Sequence, residues 1–183
     1  MNSKAKIAQT AFELFLSNGY KASTMAQLVE KSGLSKGAFY HYFKSKQDIY
    51  NYVLEHYFLS YYQDISWQEF LDYDYKNFEI ALKSYYIKFI NEIKSLTNNS
   101  IANYFVMFFE AYNNNPNFKK TVQQFYKQFE TVISKILIKE NNISTKQAKI
   151  KAAKIIAQYE GFMFYMAVFP EKPLADYLDK EES

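Results

Sequence analysis

The 183-residue chain has no cysteine and no arginine, and it has only four glycines and three prolines. Without cysteine there can be no disulfide framework, no thiolate nucleophile and no zinc–thiolate site. So little glycine and proline excludes collagen-like and low-complexity classes. The longest apolar stretch, residues 161–170, is well short of the roughly 18 residues that a membrane span needs. The opening stretch MNSKAKIAQTAFELF lacks the apolar core and small-residue cleavage site of a secretory signal. A soluble, cytoplasmic chain is expected, without a membrane partner. Histidine is also scarce. His41 and His56 are the only two, and neither has a histidine or carboxylate at metal-ligand spacing. Neither a metal, a cofactor nor an enzymatic centre is therefore expected.

Against these absences stand 49% hydrophobic residues and a net charge of only +3, which is the balance of a folded chain rather than a disordered one. Aromatic residues make up 20% of the sequence. An AT-rich coding sequence favours Phe, Tyr, Asn, Lys and Ile and disfavours Arg, and an aromatic cavity would use the same residues; both explanations stay open. The charge is uneven. Residues 1–50 carry seven lysines against three acids, whereas residues 51–183 carry 15 lysines against 16 acids. A basic head on a near-neutral body points to an anionic partner for the head.

The hydrophobic period is helical throughout, and no strand alternation or internal repeat is present. Ile7, Ala8, Ala11, Phe12, Leu14 and Phe15 define a first helix, stopped at Gly19. Thr24 with Gln27 and Ser45 with Asp48 read as capping boxes, and Ser35 caps a short helix between them. The helix opened by Ser45 is expected to run to about Asp64, with Ile49, Val53, His56 and Tyr57 on one face. Ser66 and Glu69 suggest another box. Longer helices follow over about 76–96, 101–112 and 117–140, and Ser144 with Gln147 opens the last, which stops before Pro170. The acidic tail from Glu171 is expected to fray.

Residues 24–46, TMAQLVEKSGLSKGAFYHYFKSK, carry the strongest signal. Two short helices flank a tight turn in which Gly33 supplies a left-handed backbone position. This is a helix-turn-helix, whose second helix enters the major groove of double-stranded DNA. Ser35, Lys36 and Gly37 stand at the start of that helix, where backbone N–H groups favour phosphate. Gly37 leaves room for a base edge, and Tyr40, His41 and Tyr42 place polar tips beyond it. Phe39 and Phe43 face back onto the first helix. Lys46 opens the next helix, aimed at the DNA backbone.

The stretch GYKASTMAQLVEKSGLSKGAFYHYFKSKQDIY resembles the DNA-binding head of the TetR family of bacterial transcriptional regulators. The pattern runs from Phe12 through Gly19, Thr24, Gly33 and Ser35 to Tyr40, Phe43, Lys46 and Ile49. The resemblance implies an all-α homodimer that binds a palindromic operator and is released by a small-molecule effector. It implies a three-helix DNA-binding domain over 1–46 and a ligand-binding and dimerisation domain over 47–183. By position, Thr24, Ser35, Tyr40, Tyr42 and Lys46 would hold phosphates, while Lys36, Gly37 and His41 would lie at base edges. Ala26 and Tyr42 depart from residues common in the family. Without arginine, guanine must be read by Lys36 or through backbone and shape.

Beyond the head, Phe118, Val122, Phe125, Phe129, Val132, Ile133 and Ile136 form one stripe, and Ala153, Ala157 and Gly161 recur every four residues. Phe125, Phe129, Ile133, Ala153, Ala157, Gly161 and Phe164 are therefore expected at a dimer interface. Tyr86, Phe89, Tyr104, Phe108, Tyr112, Tyr159, Glu160 and Met163 are candidate effector contacts, with ordinary core packing as the alternative for each. Glu110 is expected to face solvent. Glu160 falls inside an apolar arc and needs a partner: a cationic ligand, a tyrosine hydroxyl or a second subunit. Trp67 is placed near the entrance to a pocket. The rivals to an effector-responsive repressor are a DNA-binding protein with a filled core and an enzyme.

Overall fold

The computed structural model describes residues 3–63, 65–97 and 100–171. Among these every regular element is helical: α1 (Ser3–Asn18), α2 (Met25–Ser32), α3 (Lys36–Tyr42), α4 (Lys46–Val53), a π-helical turn (Leu54–Phe58), α5 (Ser60–Gln63), α6 (Trp67–Leu71), α7 (Tyr75–Leu96), α8 (Ile101–Asn114), α9 (Pro116–Asn141) and α10 (Thr145–Val168). The acidic tail beyond Glu171 lies outside the described residues.

Local chemistry sets most of the helix ends. Thr24 accepts from the Gln27 backbone at 3.2 Å while the Gln27 side chain accepts from the Thr24 backbone at 2.9 Å. Ser45 with Asp48 and Ser144 with Gln147 form the same reciprocal boxes. The Ser66–Glu69 box does not form: Ser66 precedes α6 without a side-chain cap bond. Two caps had not been expected. Asp74 caps α7 by accepting from Asn77 N at 2.7 Å, and Asn115 caps α9, where Pro116 occupies the first turn without needing an N–H donor. Gly33 at φ +66° closes α2 in the left-handed region.

The segment after α4 departs from the expected continuous helix. Leu59 N donates to Leu54 O at 2.8 Å, a five-residue step that inserts one extra residue into the turn. The apolar face is thereby re-aimed. Leu54 and Phe58 turn inward, whereas His56 is exposed and stacks on Tyr52 at 3.9 Å. His56 therefore does not reach the core.

α1 is the centre of the head, packing on α2 and α4 and also on α7 and α8 of the body. Its Ile7, Ala8, Ala11, Phe12 and Phe15 are buried, each large side chain contributing on the order of 1.5–3 kcal/mol of transfer free energy. Polar bonds fix the junction. Asn103 Nδ2 donates to Ser17 O at 2.8 Å, and the Tyr57 hydroxyl donates to Ala5 O at 3.1 Å. The body is built on the α9–α10 pair, its most extensive contact, with α8 packed against both helices.

Phe125, Phe129 and Ile133 are buried inside their own chain. Packed this way within one chain, they leave almost no surface of their own for the dimer interface at which they are expected. Trp67 explains much of this, packing on Phe125 and Phe129 with ring centroids 5.2 and 5.4 Å away. The apolar stripe of α9 is spent on α5, α6 and α10.

Candidate nucleic-acid interface and effector pocket

The candidate interface is built around the short helix α3. Ser35 Oγ accepts from Ala38 N at 3.2 Å and starts it, and buried Phe39 and Phe43 anchor its inner side. That anchoring leaves Lys36, Gly37, Ala38, His41 and Tyr42 on the outer side, all exposed. The His41 and Tyr42 rings meet edge to face at 5.1 Å, which fixes their relative direction. Ser35 and Thr24 are exposed at the starts of α3 and α2, and Tyr40 is half-buried. A Cβ built on Gly37 would touch nothing within 4 Å, so the absent side chain is not required by the fold.

Lys46 is placed differently from expectation. Its ammonium donates to Tyr20 O at 2.9 Å and to Ser23 O at 2.8 Å, and lies 4.3 Å from the centroid of the Tyr20 ring. Lys46 ties the α1–α2 turn to α4 before any phosphate is considered. Lys4 likewise lies over Tyr52, 4.2 Å from its centroid.

The eight candidate effector residues do not form one site. Tyr104, Phe108 and Glu160 line an open apolar pocket of about 760 Å³ between α8 and α10, together with Phe105, Phe109 and Phe164. Tyr86, Phe89 and Met163 surround a small void of only about 20 Å³, whose wall also includes Tyr104 and Glu160. The void is too small for a ligand of drug size. Tyr159 stacks on Tyr86 at 4.7 Å and faces a separate groove of about 310 Å³ with Tyr75 and Phe78. Tyr112 lies apart, its hydroxyl accepting from Gln123 Nε2 at 3.2 Å and its ring beneath Lys119. Glu110 is half-buried rather than solvent-facing and lines a cleft with Tyr20 and Tyr50.

Glu160 sits on the wall shared by the pocket and the void. The hydroxyls of Tyr86 and Tyr126 donate to its Oε1 at 2.8 and 2.9 Å. Burial pushes the Glu160 carboxyl above the usual carboxylate range, and the two tyrosine bonds oppose that shift. The Tyr62 and Tyr104 hydroxyls bond to each other deeper in the cluster. Tyr62 and Tyr126 had not been singled out in the sequence. Tyr62 lies in a four-residue helix with too few positions for a period, and Tyr126 sits beside the apolar stripe of α9.

On α10, Ala153, Ala157, Gly161 and Phe164 lie on the exposed side, with Phe164 at 63% exposure. Phe109 on α8 is also exposed. No helix among the described residues is long and apolar enough to cross a membrane.

Comparison with known proteins matches residues 7–53 to the domain described as bacterial regulatory proteins, tetR family. The chain is 28% identical over 152 residues to the HTH-type transcriptional regulator QacR of Staphylococcus aureus (strain Mu50), covering 79% of this chain and 73% of that one. Residues 7–53 thus carry a tetR-family domain. Members of this family are transcriptional regulators and not enzymes. Solved structures share the fold along nearly the whole length. A regulator of the TerR/AcrR family from Aquifex aeolicus superposes with a TM-score of 0.64 at 20% identity, covering 97% of this chain and 94% of that one. NemR of Escherichia coli gives a TM-score of 0.61 at 20% identity, with the same coverages. The tetR-family match ends at residue 53, so the body is related to these neighbours by fold.

Proposed function

We propose that the chain is a cytoplasmic, homodimeric transcriptional repressor, released from a palindromic operator by a small, largely apolar or aromatic effector. The observation that carries this reading is the outer side of α3, where Lys36, Gly37, His41 and Tyr42 are exposed together over a buried Phe39–Phe43 anchor. Lys36 and His41 would meet base edges, with Gly37 allowing close approach. Thr24, Ser35, Tyr40 and Tyr42 would contact phosphates and set the register. Lys46 would act chiefly by holding the turn that presents them. Residues 1–46 form the DNA-binding unit in this reading, and residues 47–183 form the effector and dimerisation unit.

Ala153, Ala157, Gly161 and Phe164 provide the face for a second copy, which supplies the second recognition helix. The two helices must sit about 34–36 Å apart to reach successive half-sites. An effector in the pocket lined by Tyr104, Phe108 and Glu160 would favour a different spacing. It acts only to the extent that it binds the two states unequally. The Asn103–Ser17 bond offers a direct route, since α8 lines the pocket and also grips α1.

Selection of bound DNA from a random duplex pool tests this reading. A two-fold symmetric consensus is expected, and Gly37→Gln should abolish its enrichment without loss of thermal stability. Recovery of unrelated sequences would show that the head does not read an operator.

A further inference from the structure

We propose that the cleft between the head and the body, at Tyr50 and Glu110, is a second binding site, and that it takes a neutral polyhydroxylated molecule of the sugar class. The site is separate from the pocket between α8 and α10 and does not depend on an effector being bound there.

The cleft has a volume of about 910 Å³, within the range of small-molecule sites. Its walls come from both parts of the chain. The turn after α1 supplies Lys21, α4 supplies Gln47 and Tyr50, and α8 supplies Glu110 and Asn114. What marks it as a site is unmet hydrogen-bonding capacity. Tyr50 is 4% exposed, and its hydroxyl has no hydrogen-bond partner. Burial, and then the Glu110 charge, pushes the Tyr50 and Tyr20 hydroxyls up, so the carboxylate lies within electrostatic reach of both. The half-buried Glu110 carboxylate itself accepts no hydrogen bond and forms no ion pair among the described residues. The Lys21 ammonium and the Asn18 side-chain amide, both on the wall, are also without a partner there. Asn114 Nδ2 donates to Glu110 O at 2.8 Å, which leaves Asn114 Oδ1 to accept. Gln47 Nε2 donates to Asn51 Oδ1 at 3.0 Å and keeps a second N–H to give.

This mixture decides the class of ligand. A cation meets Lys21, and an anion meets Glu110. An apolar molecule strips water from charges and amides and returns nothing to them. A sugar hydroxyl both donates and accepts. A ring of such hydroxyls can donate to Glu110 and Asn114, accept from Lys21 and Gln47, and complete the Tyr50 hydroxyl. Val106, at 57% exposure, offers an apolar contact for the C–H side of the ring. An occupant would be bonded to α8 of the body and to the turn of the head at once, and so would restrain one against the other.

Ligand-observed NMR titration of the full-length protein with three matched probes tests the assignment. Glucose, glucosamine and glucuronate share one ring and are neutral, cationic and anionic. Mildly acidic buffer keeps the amine protonated and the carboxylate ionised. Glucose is expected to bind several-fold more tightly than either charged analogue. Lys21→Met, at an exposed position, should relieve the penalty on glucosamine, and Glu110→Gln should relieve that on glucuronate. Tyr50→Phe should weaken glucose several-fold in a protein that melts no lower than the wild type.

No binding of glucose overturns the inference, as does a charged analogue that binds as tightly as glucose. A charge preference unchanged in both Lys21→Met and Glu110→Gln places the sugar elsewhere on the chain and overturns it too. So does a glucose affinity that Tyr50→Phe leaves intact. All of these titrations are made without DNA or effector, so a negative result leaves the operator-binding reading standing.

Discussion

The ammonium of Lys46 lies 2.8 Å from Ser23 O and 2.9 Å from Tyr20 O, joining the start of α4 to the turn between α1 and α2. Both carbonyls belong to the loop that orients α2, and Thr24, the α2 cap, follows Ser23 directly. Hydrogen bonds from a charged donor each contribute about 1.5–3 kcal/mol when well shielded, and this one is half-buried. Lys46→Met should therefore lower stability by about 1–3 kcal/mol in urea denaturation and weaken operator binding. The salt dependence of binding separates orientation from charge. Lys36→Ala should reduce the slope by about one unit, whereas Lys46→Met should leave it unchanged. A unit loss of slope in Lys46→Met would return Lys46 to the phosphate contacts.

Tyr50 provides a second test in the same region. It is 4% exposed, and its hydroxyl is buried without a hydrogen-bond partner. Tyr20 lies against it at 4.4 Å between ring centroids, and burial followed by the nearby Glu110 charge raises its pKa. An unsatisfied buried hydroxyl costs about 1–3 kcal/mol. Tyr50→Phe keeps the ring and removes that cost, so it should raise stability by about 1 kcal/mol, read as a higher denaturation midpoint. A loss of stability would show that the hydroxyl is satisfied in solution.

The features legible in the sequence are those decided within a few residues. Thr24–Gln27, Ser45–Asp48 and Ser144–Gln147 cap their helices because both partners lie in one turn of chain. The buried Phe39 and Phe43 follow from helical period. The features that escaped depend on distant partners. Lys46 finds its acceptors 26 and 23 residues away. The π-turn at Leu54–Phe58 re-aims His56 in a way that no periodic reading contains. An apolar stripe such as that of Phe125 and Phe129 announces burial but does not say whether the neighbour is Trp67 of the same chain or a second subunit.

The carboxyl of Glu160 should leave a signature in the pH dependence of stability. Burial raises its folded-state pKa above that of the unfolded chain. Between the two values the folded state holds more protons, so stability falls as pH rises through that window. The loss begins near the unfolded value, about 4, and is complete above the raised one. The tyrosines that face Glu160 are Tyr86 and Tyr126 directly, with Tyr62, Tyr85 and Tyr104 behind them. All are themselves shifted upward by burial, so the carboxyl titrates alone in the window. Glu160→Gln removes the effect. The difference between wild-type and variant urea midpoints, followed from pH 4 to pH 9, should become steadily less favourable to the wild type and then level off. A flat difference would mean that burial does not penalise the charge.

Gly161 separates the fold of one chain from the pairing of two. A Cβ added there meets nothing within 4 Å, and the residue lies in the exposed row with Ala153, Ala157 and Phe164. Within a single chain, Gly161→Leu should be harmless or slightly stabilising, since glycine inside a helix costs about 0.5–1 kcal/mol relative to alanine. Between two chains it should be severe, because the row of small residues is what would let two α10 helices approach closely. Phe129→Ala should behave in the opposite way, costing about 3–5 kcal/mol through a cavity beside Trp67 while leaving the exposed row intact. Sedimentation and denaturation on the two variants therefore distinguish the roles of the two helices. A Gly161→Leu protein that remains a tight dimer would place the partner elsewhere and leave the apolar face of α10 to the pocket alone.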